Sequence, residues 1–419
     1  MATTIDLNEA RRRVLAEAPP PLALAGRRET VPLDEALGRS LAESLHCPGP
    51  WPATDRSAMD GFALRAGAPA GAILRVVGEA LAGRPFAATL QPGEAVRIMT
   101  GAVLPDGADA VARVEDSSGF DGLDGDRGRV RIAVAVSPGA NVRRCGSELR
   151  AGETVLRAGQ RLRAAEIGVL AVLGVHAVPV RVRPRVAIVS TGDEVVDVAS
   201  VPLPHQVRDS NSYALAAQCC ECGAEPWRLG IAPDDREGLR AVLERGLAAE
   251  VLVTIGGISA GTHDLVQPVL EALGVREVFH GVQLKPGKPT YFGVHETAGR
   301  RSFVFGLPGN PASAFTTFDL FVAPLLERLL GREAPTDCVA RAAGTTPRAN
   351  PRAQAIPARL ATGPDGALVA RLRAVRTSGD PFGLLDADAH AIVPADAAID
   401  ASAALRVVPY AATRGIGGA

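Results

Sequence analysis

The stretch Val251-Leu-Val-Thr-Ile-Gly-Gly-Ile-Ser-Ala-Gly-Thr-His-Asp264 decides the fold. Its first five residues form a short apolar, mostly β-branched run with no polar alternation, which reads as a strand buried on both faces of a parallel sheet. The polar, glycine-rich remainder reads as the loop leaving that strand. The same grammar recurs on either side. Val186 to Ser190 ends in Thr191-Gly-Asp-Glu194, Trp227 to Ile231 in Ala232-Pro-Asp-Asp235, and Ser302 to Phe305 in Gly306-Leu-Pro-Gly-Asn-Pro311. Helix-length segments separate them: about Asn211 to Cys222, stopped by Gly223; Asp235, as a cap, to about Leu247; and Pro311 to about Leu330. Strands alternating with helices predict a mainly parallel α/β/α sandwich over residues 179–331.

Outward from this core the pattern changes. Residues 332–419 show short apolar runs and a Pro364-Asp-Gly366 turn, a small β domain. Residues 46–145 are β-rich, with runs at Ile73 to Val77, Ala95 to Met99, Ala110 to Val114 and Val130 to Val136, and a hairpin tip at Asp121 to Arg129. Residues 5–18 predict an amphipathic helix, and Val31 to Leu45 a second one after the break at Pro19 to Pro21. Helix-like periodicity returns over 146–178. The expected division is therefore 1–45 with 146–178 as an elongated helical and hairpin domain, 46–145 inserted into it, then 179–331 and 332–419.

Composition narrows the function classes. The 419 residues are 47% hydrophobic and 22% charged, the usage of a folded chain and not of a disordered one. A net charge of -1 offers no broad footprint for nucleic acid, so any anion must be met locally. The longest apolar run, Ile167 to Val180, is interrupted by His176 and Pro179 and does not read as a membrane span. Asp6 and Glu9 precede the first arginines, the wrong order for a secretory signal, and the expectation is a cytoplasmic protein. Six scattered cysteines fit reduced thiols, and Cys219-Cys-Glu-Cys222 reads as structural because adjacent helical thiols point apart.

In a parallel sheet, ligands bind where the carboxyl ends of the strands open. Asp193, Glu194, Asp234 and Asp264 come to that edge, with the amides of Gly256 to Gly261, Gly309 and Asn310. Acids crowded there predict a divalent cation, magnesium where phosphate is bound. Thr191 to Glu194 reads equally as a turn and cap, and Asp234-Asp235 as a cap before it reads as a site. Gly256 to Asp264 reads as functional, because its glycines need a close-approach reason. Gly306 to Pro311 is a rigid turn that also suits a positioned site, and His263 reads as an exposed loop residue. Only two of the 45 basic residues are lysine, Lys285 and Lys288, both in Leu284-Lys-Pro-Gly-Lys-Pro289, which suggests a cramped anion site where guanidinium would not substitute freely. Gly281 to Lys288 is not a phosphate-binding P-loop, since its glycine spacing is one too long and Pro289 replaces the hydroxyl. No G-x-G-x-x-G follows any strand.

Six segments, in order, resemble the molybdopterin molybdenumtransferase family, which includes the gephyrin E domain. They are Asp55-Arg-Ser-Ala-Met-Asp-Gly-Phe62, Val96-Arg-Ile-Met-Thr-Gly101, Ser190-Thr-Gly-Asp-Glu194, Gly256 to Asp264, Lys285-Pro-Gly-Lys-Pro289 and Leu307-Pro-Gly-Asn-Pro-Ala-Ser313. The resemblance implies a four-domain homodimer with a molybdopterin-binding core and a C-terminal β-barrel-like domain. It also implies an activity: adenylated molybdopterin and molybdate, with Mg2+, give molybdenum cofactor and AMP. On that basis Glu194, Asp234 and Asp264 look like the nucleotide and magnesium acids, with Gly256, Gly257 and Ser259 in the same loops. Lys285, Lys288 and Ser313 look like the molybdate and phosphate contacts, Pro308 and Pro311 like rigid prolines beside them, and Ser378 like a C-terminal residue near molybdate. Asp60 and Thr100 look like catalytic residues brought from the partner subunit, with Glu148 a further contact. Arg56 stands where the family usually has asparagine, and Glu148, in Arg144-Cys-Gly-Ser-Glu148, where it often has aspartate. The family's C-terminal arginine aligns near Pro357, leaving Arg352 or Arg359 to serve. The resemblance also implies transient contact with other cofactor-biosynthesis proteins and molybdoenzymes. Two alternatives are a molybdopterin adenylyltransferase, which is typically the core alone, and a gephyrin-type scaffold, which retention of the lysines and acids disfavours.

Overall fold

Val251–Ile255 is buried along its whole length and pairs in parallel on both sides. The computed structural model describes residues 4–19, 27–258, 264–297, 299–332, 337–344, 347–373, 376–400, 402–410 and 413. The core elements are β1 (Arg185–Thr191), α1 (Asn211–Cys222), β2 (Glu225–Ala232), α2 (Arg236–Gly246), β3 (Val251–Ile255), α3 (Val266–Ala272), β4 (Arg276–His280), β5 (Tyr291–Thr297), β6 (Arg300–Leu307), α4 (Pro311–Thr317) and α5 (Ala323–Leu329). Their sheet has the order β2-β1-β3-β6-β5-β4, parallel from β2 to β6 and antiparallel beyond. One face packs on Leu215 and Cys219 of α1, Phe318 and Phe321, and Leu7, Ala10 and Val14 of the N-terminal helix Leu7–Glu17. The other packs on Leu239 and Leu243 of α2 and Val269 and Leu270 of α3. The sandwich is the one expected.

The predicted single helix from Pro311 to Leu330 is divided. A π turn at Phe318–Val322 separates α4 from α5. Pro324 has no N–H for the carbonyl four residues back and its ring crowds that carbonyl, so the helix takes up an extra residue there.

The C-terminal strands β7 (Cys338–Gly344), β8 (Ala353–Thr362), β9 (Leu368–Leu372), β10 (Ala389–Val393) and β11 (Ala404–Pro409) run in the order β8-β9-β7-β11-β10. A β8–β10 pairing closes them into a five-stranded barrel, and the two-residue strand Leu284–Lys285 adds to β8. Closure leaves no long open edge.

Residues of this chain cluster into two compact units. One is Met1–Glu43, Ala158–Leu170 and Val175–Ala419; the other is Ser44–Arg157 with Ala171–Gly174. The second contains a five-stranded sheet in the order Ala110–Arg113, Gly61–Leu64, Glu94–Ile98, Ile73–Ala80, Arg129–Arg131. Gly61 is required there, since a Cβ would lie 1.9 Å from the Ala112 carbonyl oxygen.

Two helical expectations are overturned. Val31 to Leu45 is not a helix: Arg28–Pro32 is a strand paired with Ala177–Arg181, followed by one 3-10 turn at Leu33–Glu35. Cross-strand pairing of Val31 with Val178 outweighs the local apolar spacing, and Gly38, at φ +76°, stops a helix from continuing. Within 146–178 only Ala164–Val172 is α-helical, and Thr154–Leu156 pairs with Leu45–His46. None of the six cysteines forms a disulfide. Among the described residues no helix is long and apolar enough to cross a membrane.

Two stability predictions follow from local geometry. Glu166, third in its helix, accepts from the Arg163 amide at 2.9 Å and guanidinium at 3.0 Å and from Gln160 at 3.2 Å. The Arg163 guanidinium holds its carboxyl at about 2, against 4.5 ordinarily. Because the folded value is depressed, the stabilisation is complete above about pH 4.5 and is lost as pH falls toward about 2. Calorimetry at pH 7, 4.5 and 3 should therefore show the melting gap between wild type and Glu166→Gln narrowing with acid. Gly257 lies at φ +61°, and a Cβ would fall 2.6 Å from Val266 Cγ2 and 2.9 Å from Thr191 Oγ1. Gly257→Ala should cost about 1–3 kcal/mol in thermal unfolding.

Candidate functional site

Val282 donates its N–H to the Lys288 carbonyl at 2.9 Å, and Thr290 Oγ1 donates to the Gly287 carbonyl at 2.7 Å, closing Leu284 to Thr290 into a tight loop. Leu284–Lys285 pairs with Ala353–Gln354 of β8, and Arg352 donates to the Leu284 carbonyl at 3.2 Å. On the facing side, Asn310 Nδ2 donates to Ser378 Oγ at 2.9 Å and the Ala312 amide to the Ser378 carbonyl at 3.2 Å. Between these walls lies a cavity of about 960 Å³. Lys285, Lys288, Pro308, Ser313 and Ser378 all line it, together with Asn310. So do Arg348, Arg352, Arg373 and Arg376, while no Asp or Glu does among the described residues. Such a wall attracts anions, and among the described residues the acid paired with it is Asp386, 3.7 Å from Arg373.

The expectation of a cramped lysine site is corrected. Both lysines are exposed toward this roomy cavity; the crowding is in the backbone, where a Cβ on Gly287 would meet Thr317 Cγ2 at 2.5 Å. Of the two candidate arginines, Arg352 lines the cavity. Arg359 is exposed on β8, opposite Arg371 of β9. Pro311 opens α4, which carries the buried Ser313.

The acidic loops stand on the other side of the Pro308–Asn310 turn. A Cβ on Gly309 would come 3.6 Å from Gly256 Cα, the Gly256 amide donates to the Leu307 carbonyl at 2.9 Å, and Asn211 Nδ2 donates to the Gly309 carbonyl at 2.6 Å. Asp264 is half-buried, its Oδ1 3.7 Å from where a Gly257 Cβ would stand. The Glu194 carboxylate folds back over Gly192, 2.5 Å from the site of a Cβ. Asp234 is exposed, and Asp235 caps α2 by accepting from the Gly238 amide at 2.8 Å. Ser259 and His263 lie outside the described residues. Among the described residues no three His, Cys, Asp or Glu side chains group closely enough to hold a metal ion. Glu194, Asp234 and Asp264 therefore do not fit a resident Mg2+ held by protein ligands alone.

The second unit holds its own polar pair. Asp60 Oδ1 accepts from the Thr100 amide and hydroxyl, both at 2.7 Å, and these bonds, the amide first, hold its carboxyl below the ordinary aspartate range. Arg56 donates to the Gly101 carbonyl at 2.7 Å, bracing the turn after Thr100. Glu148 is engaged by Arg143, whose Nε donates to it at 3.0 Å.

Sequence reasoning missed Arg348, Arg373 and Arg376. Their signal was the clustering of arginines on and between short β-domain runs, where folding brings distant positions to one wall. It also missed Asp209, a buried carboxylate that accepts from Ser190 Oγ at 2.9 Å and from the Ser212 amide and hydroxyl at 3.1 and 2.6 Å, fixing the start of α1.

Comparison with known proteins agrees with this architecture. Residues 5–174 match the MoeA N-terminal region (domain I and II), and residues 187–328 a probable molybdopterin binding domain. The chain is 39% identical to the molybdopterin molybdenumtransferase of Nostoc sp. over 72% of this chain and 70% of that one. It is 33% identical to the Bacillus subtilis enzyme of the same name over 94% and 90%. The crystal structure of the molybdopterin biosynthesis moeA protein from Pyrococcus horikoshii OT3 superposes with a TM-score of 0.81 at 27% identity, covering 97% of this chain and all of that one (100%). With both halves matched in order and identity above 30% across most of its length, the chain belongs to the molybdopterin molybdenumtransferase family.

Proposed function

We propose that this enzyme inserts molybdenum into adenylated molybdopterin, taking molybdate and releasing AMP with the molybdenum cofactor. One observation carries the reading: six cationic side chains and no described carboxylate line a single cavity at the mouth of a molybdopterin-binding core. A tetraoxo dianion is suited to ammonium and hydroxyl donors, and Lys285, Lys288 and Ser313 supply them. Arg352, held by the Leu284 carbonyl, is the guanidinium we assign to the same oxyanion in place of an arginine at Pro357. The chemistry rests on positioning two reactants in a fixed field, which needs no side chain to become covalent.

Magnesium enters this reading as companion of the substrate's diphosphate. Mg2+ is commonly held by one or two carboxylates plus substrate phosphates, and Glu194 and Asp264 flank the turn where that diphosphate would lie. Asp60 and Thr100 are assigned to the same reaction from a second copy of the chain, on the strength of the resemblance, making the enzyme a homodimer with a shared site. We assign it a cytoplasmic setting, with which six cysteines outside any disulfide are in keeping.

The direct assay incubates the protein with adenylated molybdopterin, magnesium and molybdate and follows AMP. Molybdate-dependent AMP release is expected; adenylation of molybdopterin from ATP instead would replace this reading with an adenylyltransferase. Lys288→Gln should lose a charge-assisted hydrogen bond of about 1.5–3 kcal/mol, raising KM for molybdate roughly 10- to 150-fold. Its melting temperature should barely move, because an exposed substitution stays within about 0.5 kcal/mol. Small-angle scattering checks the dimer.

A further inference from the structure

The cavity has two walls, and a buried polar pair lies where the barrel meets the core. His390 lies on β10 directly opposite Pro357 of β8, on the same face of the barrel sheet, and Pro357 lines the cavity. His390 Nε2 is 3.3 Å from Asp319 Oδ2, and the two side chains are 0% and 1% exposed. Asp319 sits in the π turn that directly follows α4, the helix carrying Ser313. Around the pair, the His390 ring lies 4.7 Å from Tyr410 and 6.2 Å from Phe315, and Phe315 and Tyr410 are 5.2 Å apart. Phe315 is in α4, between Ser313 and Thr316, which both line the cavity.

An apolar contact would hold the barrel against the core without fixing its angle. A buried hydrogen bond is directional, and a buried polar pair of this kind serves orientation more than stability. The π turn supports the same reading, since the extra residue rotates Asp319 relative to an ordinary helix and such turns recur beside functional sites.

We propose that His390 and Asp319 are positioning residues which set the spacing between the β8 wall, with Arg352 just before it, and the Ser313 wall of α4, and so the fit of the cavity to a tetraoxo dianion. The inference rests on the molybdate reading above. Neither residue touches substrate; each acts through the wall it holds.

The test measures AMP release against molybdate concentration for wild type, His390→Phe, Asp319→Asn and the double variant Asp319→Leu with His390→Phe. His390→Phe keeps the ring stack but loses the hydrogen bond, and should raise KM for molybdate at least fivefold with kcat within twofold. Asp319→Asn keeps an acceptor facing Nε2 and should stay within twofold in both. The double variant, apolar on both sides, keeps the inference testable should the single histidine variant not fold; it too should show the raised KM. Leu405→Ala, inside the barrel's own core, should lower the melting temperature without moving KM. A wild-type KM in the double variant, a large rise in Asp319→Asn, or an equal rise in Leu405→Ala would each overturn the proposal. Wild type without molybdate-dependent AMP release would instead defeat the functional reading itself.

Discussion

The parallel alignment of four strands, β2-β1-β3-β6, is the constraint from which the rest of the site follows. Parallel strands all release their chains at the same edge, so the Thr191 to Glu194, Gly256 to Ile258 and Gly306 to Pro311 segments have to arrive together. The Gly256 amide bonded to the Leu307 carbonyl shows how near they come. An antiparallel core of the same composition would have divided these loops between two ends.

Charge is sorted across that edge. On one side of the Pro308–Asn310 turn stand Glu194 and Asp264, and on the other a wall of lysine and arginine. Among the described residues no acid lines the cationic cavity, which favours an incoming oxyanion, since a lining carboxylate would neutralise the donors before the ligand did. The barrel is what completes this wall. It supplies Arg352, Arg373, Arg376 and Ser378, and the pairing of Leu284–Lys285 with β8 brings Arg352 beside the lysine loop.

Most of the core was legible because its signals are local. Val251–Ile255, the helix ending before Gly223, and the Asp235 cap each depend on a few neighbouring residues, and the structure reproduces them. What was not legible depended on partners remote in the chain. Val31 was drawn into a strand by Val178, and the antiparallel strands Arg276–His280 and Tyr291–Thr297 had too mixed a pattern to stand out. The site divides in the same way. Lys285, Lys288, Ser313 and Asp264 sit in segments whose unusual composition marks them, whereas Arg373 and Arg376 are ordinary arginines until the barrel closes.

The central claim is that the cavity bounded by Lys288, Ser313 and Arg352 is where molybdate binds. Anomalous diffraction at the molybdenum edge from crystals soaked in molybdate tests it most directly. The account predicts a molybdenum peak with its oxygens in hydrogen-bond reach of Lys288 Nζ and Ser313 Oγ. A peak confined to the surface away from that wall, or none at saturating molybdate, would contradict it.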